Sequence, residues 1–128
     1  YNLKEKFLDV IDFEVQTSKY NKAKASIKIK HSDKVLLGQG TGVGAVDAII
    51  SALKKTIKEY DTLDVQLIDY NVEIFTGGVE AAVKVMVKAK DKNGNQSIAH
   101  ATSPDVIVAS IKAFEKCYNF LYDKNRNK

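Results

Sequence analysis

Few residues in this chain of 128 have the type and spacing that catalysis or metal binding requires. The two histidines, His31 and His100, have no metal-ligand spacing with each other or with the single cysteine, Cys117. We expect His31 to be solvated in a turn, His100 to be a polar residue near a strand end, and Cys117 to pack inside a helix. The sequence therefore predicts no catalytic residue, no metal site and no cofactor.

A run of glycines at alternate positions, Gly38 to Gly44, is the exception. It lies where a predicted strand leads into a predicted helix, but its spacing fits neither the dinucleotide fingerprint nor the phosphate-binding P-loop. Two interpretations stay open. The glycines could allow close backbone packing or a tight turn, or exposed N–H groups at the helix start could receive a small anion such as a carboxylate. A second pair, Gly77 and Gly78, would then flank the same small-ligand pocket.

Composition excludes several classes of protein. The chain is 45% hydrophobic and 28% charged, which is too apolar for intrinsic disorder. No apolar run is long enough to cross a membrane, and the N-terminus carries no secretory signal. The single cysteine favours a reducing cytoplasm. Since the chain does not begin with Met, we expect it to be a fragment of a longer protein.

The net charge of +4 does not indicate a nucleic-acid-binding surface. Lysines alternate with apolar residues in the ranges 22–30 and 83–90, which is typical of a strand with one buried and one solvated face. Base recognition usually also uses arginine and exposed aromatic side chains, and the only arginine, Arg126, lies in a polar tail. We therefore predict no nucleic-acid partner.

The order of predicted elements repeats once along the chain. In the first half, strands are expected at 11–17, 22–30 and 34–39 and a helix at 46–57, and in the second half strands are expected at 67–72, 83–90 and 96–101 before a last helix. We expect Ser103 to cap that helix, with Pro104 in its first turn. The two helices also align residue by residue, Val46 with Ile107 and Ala48 with Ala109.

This repetition predicts an α+β fold made of an internally duplicated βββα unit, an antiparallel sheet with two packed helices. The two repeats, about 7–60 and 63–122, would form a single domain spanning 1–128. Because a half of about 60 residues buries too little apolar surface to be stable by itself, we expect the apolar faces of the two helices to bury each other in one core.

Four segments resemble the C-terminal regulatory domain of 2-isopropylmalate synthase, a domain that citramalate synthases also carry. They are the glycine run continuing into Ala45-Val46-Asp47-Ala48, the strand Leu67-Ile68-Asp69-Tyr70, the turn Thr76-Gly77-Gly78-Val79-Glu80-Ala81, and the helix Asp105 to Phe114 with Asn119 beyond it. The similarity covers about 7–121 in the family's order. The sequence departs from the family pattern at Thr41, where proline is usual, and in the added Gly42 and Gly44.

The resemblance implies a non-catalytic feedback sensor that binds an amino acid and dimerises. The parent enzyme would carry an N-terminal TIM barrel, absent here, that condenses acetyl-CoA with a 2-oxo acid in leucine biosynthesis. The expected partners are therefore the effector, a second copy of the chain, and that catalytic domain. The effector positions carried over from the family are Gly38, Gly40, Thr41, Val43, Tyr70, Gly78, Ala81, Thr102 and Ser103.

Two alternatives to a leucine sensor stay open at this point. The domain could sense isoleucine, as in citramalate synthase, or it could be a dimerisation module that binds no ligand. The turn between Thr76 and Ala81 favours leucine. We expect the leucine carboxylate to meet backbone N–H groups between Gly40 and Val43, and Tyr70 to line the pocket, because its hydroxyl is absent from the equivalent Phe13.

Overall fold

The computed structural model describes residues 6–75 and 82–126, and they form six strands and two helices. The elements in chain order are β1 (Leu8–Gln16), β2 (Ala23–His31), β3 (Lys34–Gly42), α1 (Ala45–Ile57), β4 (Gln66–Phe75), β5 (Ala82–Lys90), β6 (Gln96–Ser103) and α2 (Val106–Arg126). The predicted α+β fold class with a duplicated βββα order is confirmed.

The first compact unit, Lys6–Thr62, is a three-stranded antiparallel sheet in the order β1-β2-β3 with α1 on one face. Alternate residues of β2, from Ala23 to His31, are buried, and the lysines between them are exposed. This period of two arises because successive side chains of a strand point to opposite faces. The prediction of a strand with one buried and one solvated face is confirmed.

The second compact unit contains the described residues from Leu63 onward and repeats the architecture, with the order β4-β5-β6 and α2 packed on β5 and β6. Both sheets carry a bulge at the same place in the repeat. The register shifts between Val10 and Asp12 in β1, and between Leu67 and Asp69 in β4. After each bulge the aspartate side chain accepts a hydrogen bond from the next backbone N–H. Shared irregularities of this kind support duplication more strongly than matching hydrophobic periods, since bulges are specific local features.

Two expectations about the elements need correction. β3 continues to Gly42, three residues beyond the expected end, so the glycine run lies mainly inside a strand. α2 begins at Val106, so Pro104 precedes the helix instead of occupying its first turn. Within each unit, the helix packs its apolar stripe against the sheet of that unit.

Candidate functional site

The glycines of β3 face α1 and let the helix approach the strand very closely. A Cβ atom built on Gly42 would lie 2.6 Å from the backbone nitrogen of Ala48, and one built on Gly40 would overlap the backbone nitrogen of Ala52. Real Cβ atoms do not come this close to backbone atoms, so these positions exclude every side chain. The close-packing interpretation of the glycine run therefore describes Gly40 and Gly42.

The helix is adapted to the same contact. Ala48 and Ala52 are completely buried at the centre of the stripe, whereas the larger Val46 and Ile50, which were expected there, are only half-buried. A small residue on the helix opposite a glycine on the strand brings the two backbones together without leaving a void. The position of the N-terminus of α1 against the sheet thus depends on this glycine–alanine contact.

The N-terminus of α1 has no side-chain cap. The capping position is Gly44, whose backbone is extended, and among the described residues no side-chain hydrogen bond caps this end. The carbonyl of Gly44 accepts the first helical bond from the N–H of Ala48 at 3.0 Å. The first N–H groups of a helix lack intrahelical acceptors and carry partial positive charge, so this end can hydrogen-bond an anion.

The N-terminus of α2 is built differently, because it supplies its own carboxylate. Asp105 Oδ1 accepts hydrogen bonds from the N–H groups of Ile107 at 2.7 Å and Val108 at 3.3 Å. Ser103, expected to be the cap, instead accepts a bond from the N–H of Asp105. That expectation was wrong, because the helix starts later than the sequence suggested.

The comparison of the two helix starts identifies a position that the sequence analysis missed. Aligning Val46 with Ile107 places Gly44 opposite Asp105. The second repeat therefore has a carboxylate bound to the first N–H groups of its helix, and the first repeat has a glycine at the equivalent position. The repeat alignment already contained this signal, but the exact start of α2 was needed to interpret it.

The remaining predicted effector positions are distributed over both units. Thr41 and Val43 in the first unit are exposed, Val43 by 88%. Gly38 is half-buried, and its missing side chain would overlap the hydroxyl of Thr56 on α1. Thr102 in the second unit is exposed on β6. The predicted positions Gly78 and Ala81 lie outside the described residues.

Tyr70 has a partner within its own unit. Its hydroxyl lies 2.7 Å from the hydroxyl of Ser110 on α2, and Ser110 donates to the carbonyl of Val106. Since a serine hydroxyl has one hydrogen, Tyr70 must be the donor in the first contact. In the first half the equivalent residues are the apolar Phe13 and Ile49. The added hydroxyl of Tyr70 is thus matched by a serine on the facing helix.

Two titratable residues lie at equivalent positions in the two units, His31 at the start of the β2–β3 connection and Asp91 at the start of the β5–β6 connection. His31, expected to be solvated, is 6% exposed, and its ring lies 5.9 Å from that of Tyr60, just beyond α1. Burial lowers the pKa of His31, and the nearby Asp61 carboxylate partly opposes this. Because β2 continues to position 31, the ring points into the unit and not into the turn.

Asp91 is also buried, and it holds the β5–β6 turn to the end of α2. Burial raises the pKa of its carboxyl, but hydrogen bonds from Asn125, Asn95 and the N–H of Asn93 outweigh burial and leave the pKa below its usual value. The carboxylate is therefore ionised and fully used as an acceptor.

The described residues show no constellation suited to catalysis. Cys117 is completely buried, as expected, and burial raises the pKa of its thiol. His100 is exposed on β6 and its carbonyl accepts a bond from Lys116. In the ranges 6–75 and 82–126, no group of three or more His, Cys, Asp or Glu could hold a metal ion. Neither described helix is long and apolar enough to span a membrane.

The fold and this site define a small duplicated βββα domain in which one helix begins at an uncapped glycine. The chain belongs to the family described as the LeuA allosteric (dimerisation) domain, whose model matches residues 1–122.

Its relatives include two kinds of enzyme. An (R)-citramalate synthase of Methanothermobacter thermautotrophicus is 35% identical over 88% of this chain, and one of Archaeoglobus fulgidus is 34% identical over 93%. A 2-isopropylmalate synthase of Methanopyrus kandleri is 37% identical over 80% of this chain. The chain spans 20–24% of the length of these relatives.

Proposed function

We propose that this chain is the feedback-regulatory domain of an acetyl-CoA-condensing synthase in the cytoplasm, that it binds a branched-chain amino acid and that it forms a homodimer. Its match to a family of allosteric (dimerisation) domains carries the proposal. The catalytic step would belong to the remainder of a longer enzyme, since the relatives are about four times as long as this chain.

Leucine is the first candidate effector, because the chain resembles the regulatory domain of 2-isopropylmalate synthase and has a relative of that name. Isoleucine is the second candidate, favoured by relatives named as citramalate synthases at similar identity. Both amino acids offer a carboxylate and a branched aliphatic side chain.

The open N-terminus of α1 is the place we assign to the effector's carboxylate. Backbone N–H groups at the start of α1 would donate to it, as those of α2 donate to Asp105. The exposed side chain of Val43 adjoins this end and offers apolar surface. Gly38, Gly40 and Gly42 would support the site indirectly, by fixing the depth at which α1 lies on β3.

Dimerisation would use the sheet faces that the helices leave open. Leu37 on β3 and Ile98 on β6 occupy equivalent positions in the two units and are 77% and 59% exposed. Exposed aliphatic side chains mark surfaces that associate where they form a contiguous patch. Each pairs with a lysine on the neighbouring strand, Leu37 with Lys28 and Ile98 with Lys88. These lysines would keep the sheet face hydrated in the monomer.

Calorimetric titration with leucine, isoleucine and a nucleic-acid oligomer tests the binding proposal. We expect one of the two amino acids to bind and the oligomer to give no heat. If the chain is a folded dimer and binds neither amino acid, its function would be dimerisation without ligand binding. Binding of the oligomer alone would contradict the proposal.

A further inference from the structure

The β5–β6 turn contains the only asparagine of the chain that is followed by glycine, Asn93-Gly94. Both residues are exposed. Gly94 has a φ of +86°, and nothing lies within 4 Å of the position that a Cβ would occupy. Its N–H makes only a long bond of 3.3 Å to the carbonyl of Asp91. The backbone nitrogen of Gly94 therefore has no side chain of its own residue beside it and is weakly held.

The side chain of Asn93 belongs to a chain of amides that ends on a carboxylate. Asn93 Nδ2 donates to Asn125 Oδ1 at 2.9 Å, and Asn125 Nδ2 donates to Asp91 Oδ2 at 2.8 Å and to the carbonyl of Leu121 at 2.7 Å. Asp91 also accepts bonds from Asn95 Nδ2 and from the N–H groups of Asn93 and Asn95. This network, which we call the amide clamp, ties the turn to the last turn of α2.

We propose that Asn93 is a site of spontaneous deamidation and that its conversion releases the amide clamp. The Gly94 nitrogen attacks Cγ of Asn93, and the new C–N bond closes a five-membered succinimide ring. Nδ2 leaves as ammonia with the proton given up by the Gly94 amide. Water then opens the ring to aspartate or isoaspartate, so water is the only co-reactant. Asparagine is among the chemically labile residues, and a glycine after it removes the steric barrier to ring closure.

The amide clamp has no free hydrogen-bond donor that could pair with the carboxylate formed by deamidation. Conversion replaces an amide donor by a carboxylate that faces Asn125 Oδ1, which is itself an acceptor. Both hydrogens of Asn125 Nδ2 are already used, on Asp91 and Leu121, so Asn125 cannot turn without abandoning those bonds. The new negative charge also lies beside the ionised Asp91, and like charges in this arrangement repel. The turn and the end of α2 should therefore separate.

Peptide mapping by mass spectrometry of the whole chain, incubated in mildly alkaline buffer, tests the chemistry. We expect Asn93 to lose its amide several times faster than Asn95, a matched control in the same turn that is followed by Gln96. Equal rates at the two residues would overturn the proposal. The variant Asn93→Gln, which closes a less favourable ring, should remain unmodified.

Amide hydrogen exchange of residues 121–126 tests the consequence. Asn93→Asp reproduces the charge of the product, and Asn93→Ser removes the amide without adding charge. Since residue 93 is exposed, both variants should fold. We expect exchange several times faster in Asn93→Asp than in the wild type, with Asn93→Ser between them. Exchange in Asn93→Asp at the wild-type rate would overturn the release of the clamp.

Discussion

Gly40 shows how a single missing side chain can set the position of a helix. The residue belongs to β3, pairs with Ala25 of β2, and directs its missing side chain at the backbone of α1 near Ala52. Glycine is often interpreted as a source of flexibility or of ligand access, but here the surrounding backbone leaves no room for any larger residue. A substitution intended to block a ligand at this position would disturb the unit first.

We expect Gly40→Ala to lower the free energy of unfolding by about 1–3 kcal/mol, because the added methyl group overpacks the contact between β3 and α1. Gly44→Ala is the matched control, since nothing lies within 4 Å of the position its Cβ would take, and it should stay within about 1 kcal/mol of the wild type. Urea denaturation monitored by circular dichroism measures both. Equal stability of the two variants would show that α1 does not rest on Gly40.

Tyr70 presents a second choice between a structural and a binding role. We expect Tyr70→Phe to cost about 0.5–1.5 kcal/mol of stability through loss of the hydrogen bond to Ser110. Effector affinity should not change, because the hydroxyl is already engaged. A large loss of affinity with unchanged stability, measured by calorimetry and thermal melting, would instead make Tyr70 the polar contact of the effector.

At the scale of elements, the sequence predicted every strand and helix in order, but not which face or end each residue would occupy. The period-two pattern of β2 is unambiguous because its buried residues are all apolar up to Ile29. It did not show that β2 includes His31, since a histidine beside Ser32 and Asp33 also suits a turn. The glycine run was equally ambiguous, because only the packed helix shows that Gly40 and Gly42 face it.

The end of β2 should make the first unit sensitive to acid. Because burial holds the pKa of His31 below its usual value of 6.5, the folded unit binds this proton less readily than the unfolded chain. The contribution of His31 to the free energy of unfolding is fully present above about pH 6.5 and is lost as the pH falls below this value. Urea midpoints measured between pH 7.5 and 5 should fall in the wild type.

His31→Gln should flatten this pH dependence between pH 7.5 and 5, because it removes the titrating imidazole. His100→Gln is the control, since it makes the same substitution at the other histidine, which is exposed on β6. An unchanged slope in His31→Gln would assign the acid sensitivity to other groups.

At the scale of the whole molecule, we expect the chain to be a homodimer in solution. Light scattering at tens of micromolar should give about twice the chain mass of 14.2 kDa. The variant Leu37→Lys should weaken the dimer by placing a charge on the open sheet face, whereas Val43→Lys, on an equally exposed loop residue, should not. A wild type that is monomeric at this concentration would contradict the proposed assembly.

The central claim is that the open N-terminus of α1 receives the carboxylate of a branched-chain amino acid. The most direct measurement is a calorimetric titration of the wild type and of Gly44→Asp with leucine and isoleucine, together with their melting temperatures. Gly44→Asp copies Asp105 and should place its own carboxylate on the first-turn N–H groups of α1. We predict that it loses effector binding while its melting temperature is equal to or above that of the wild type. Binding as tight as in the wild type would contradict the claim.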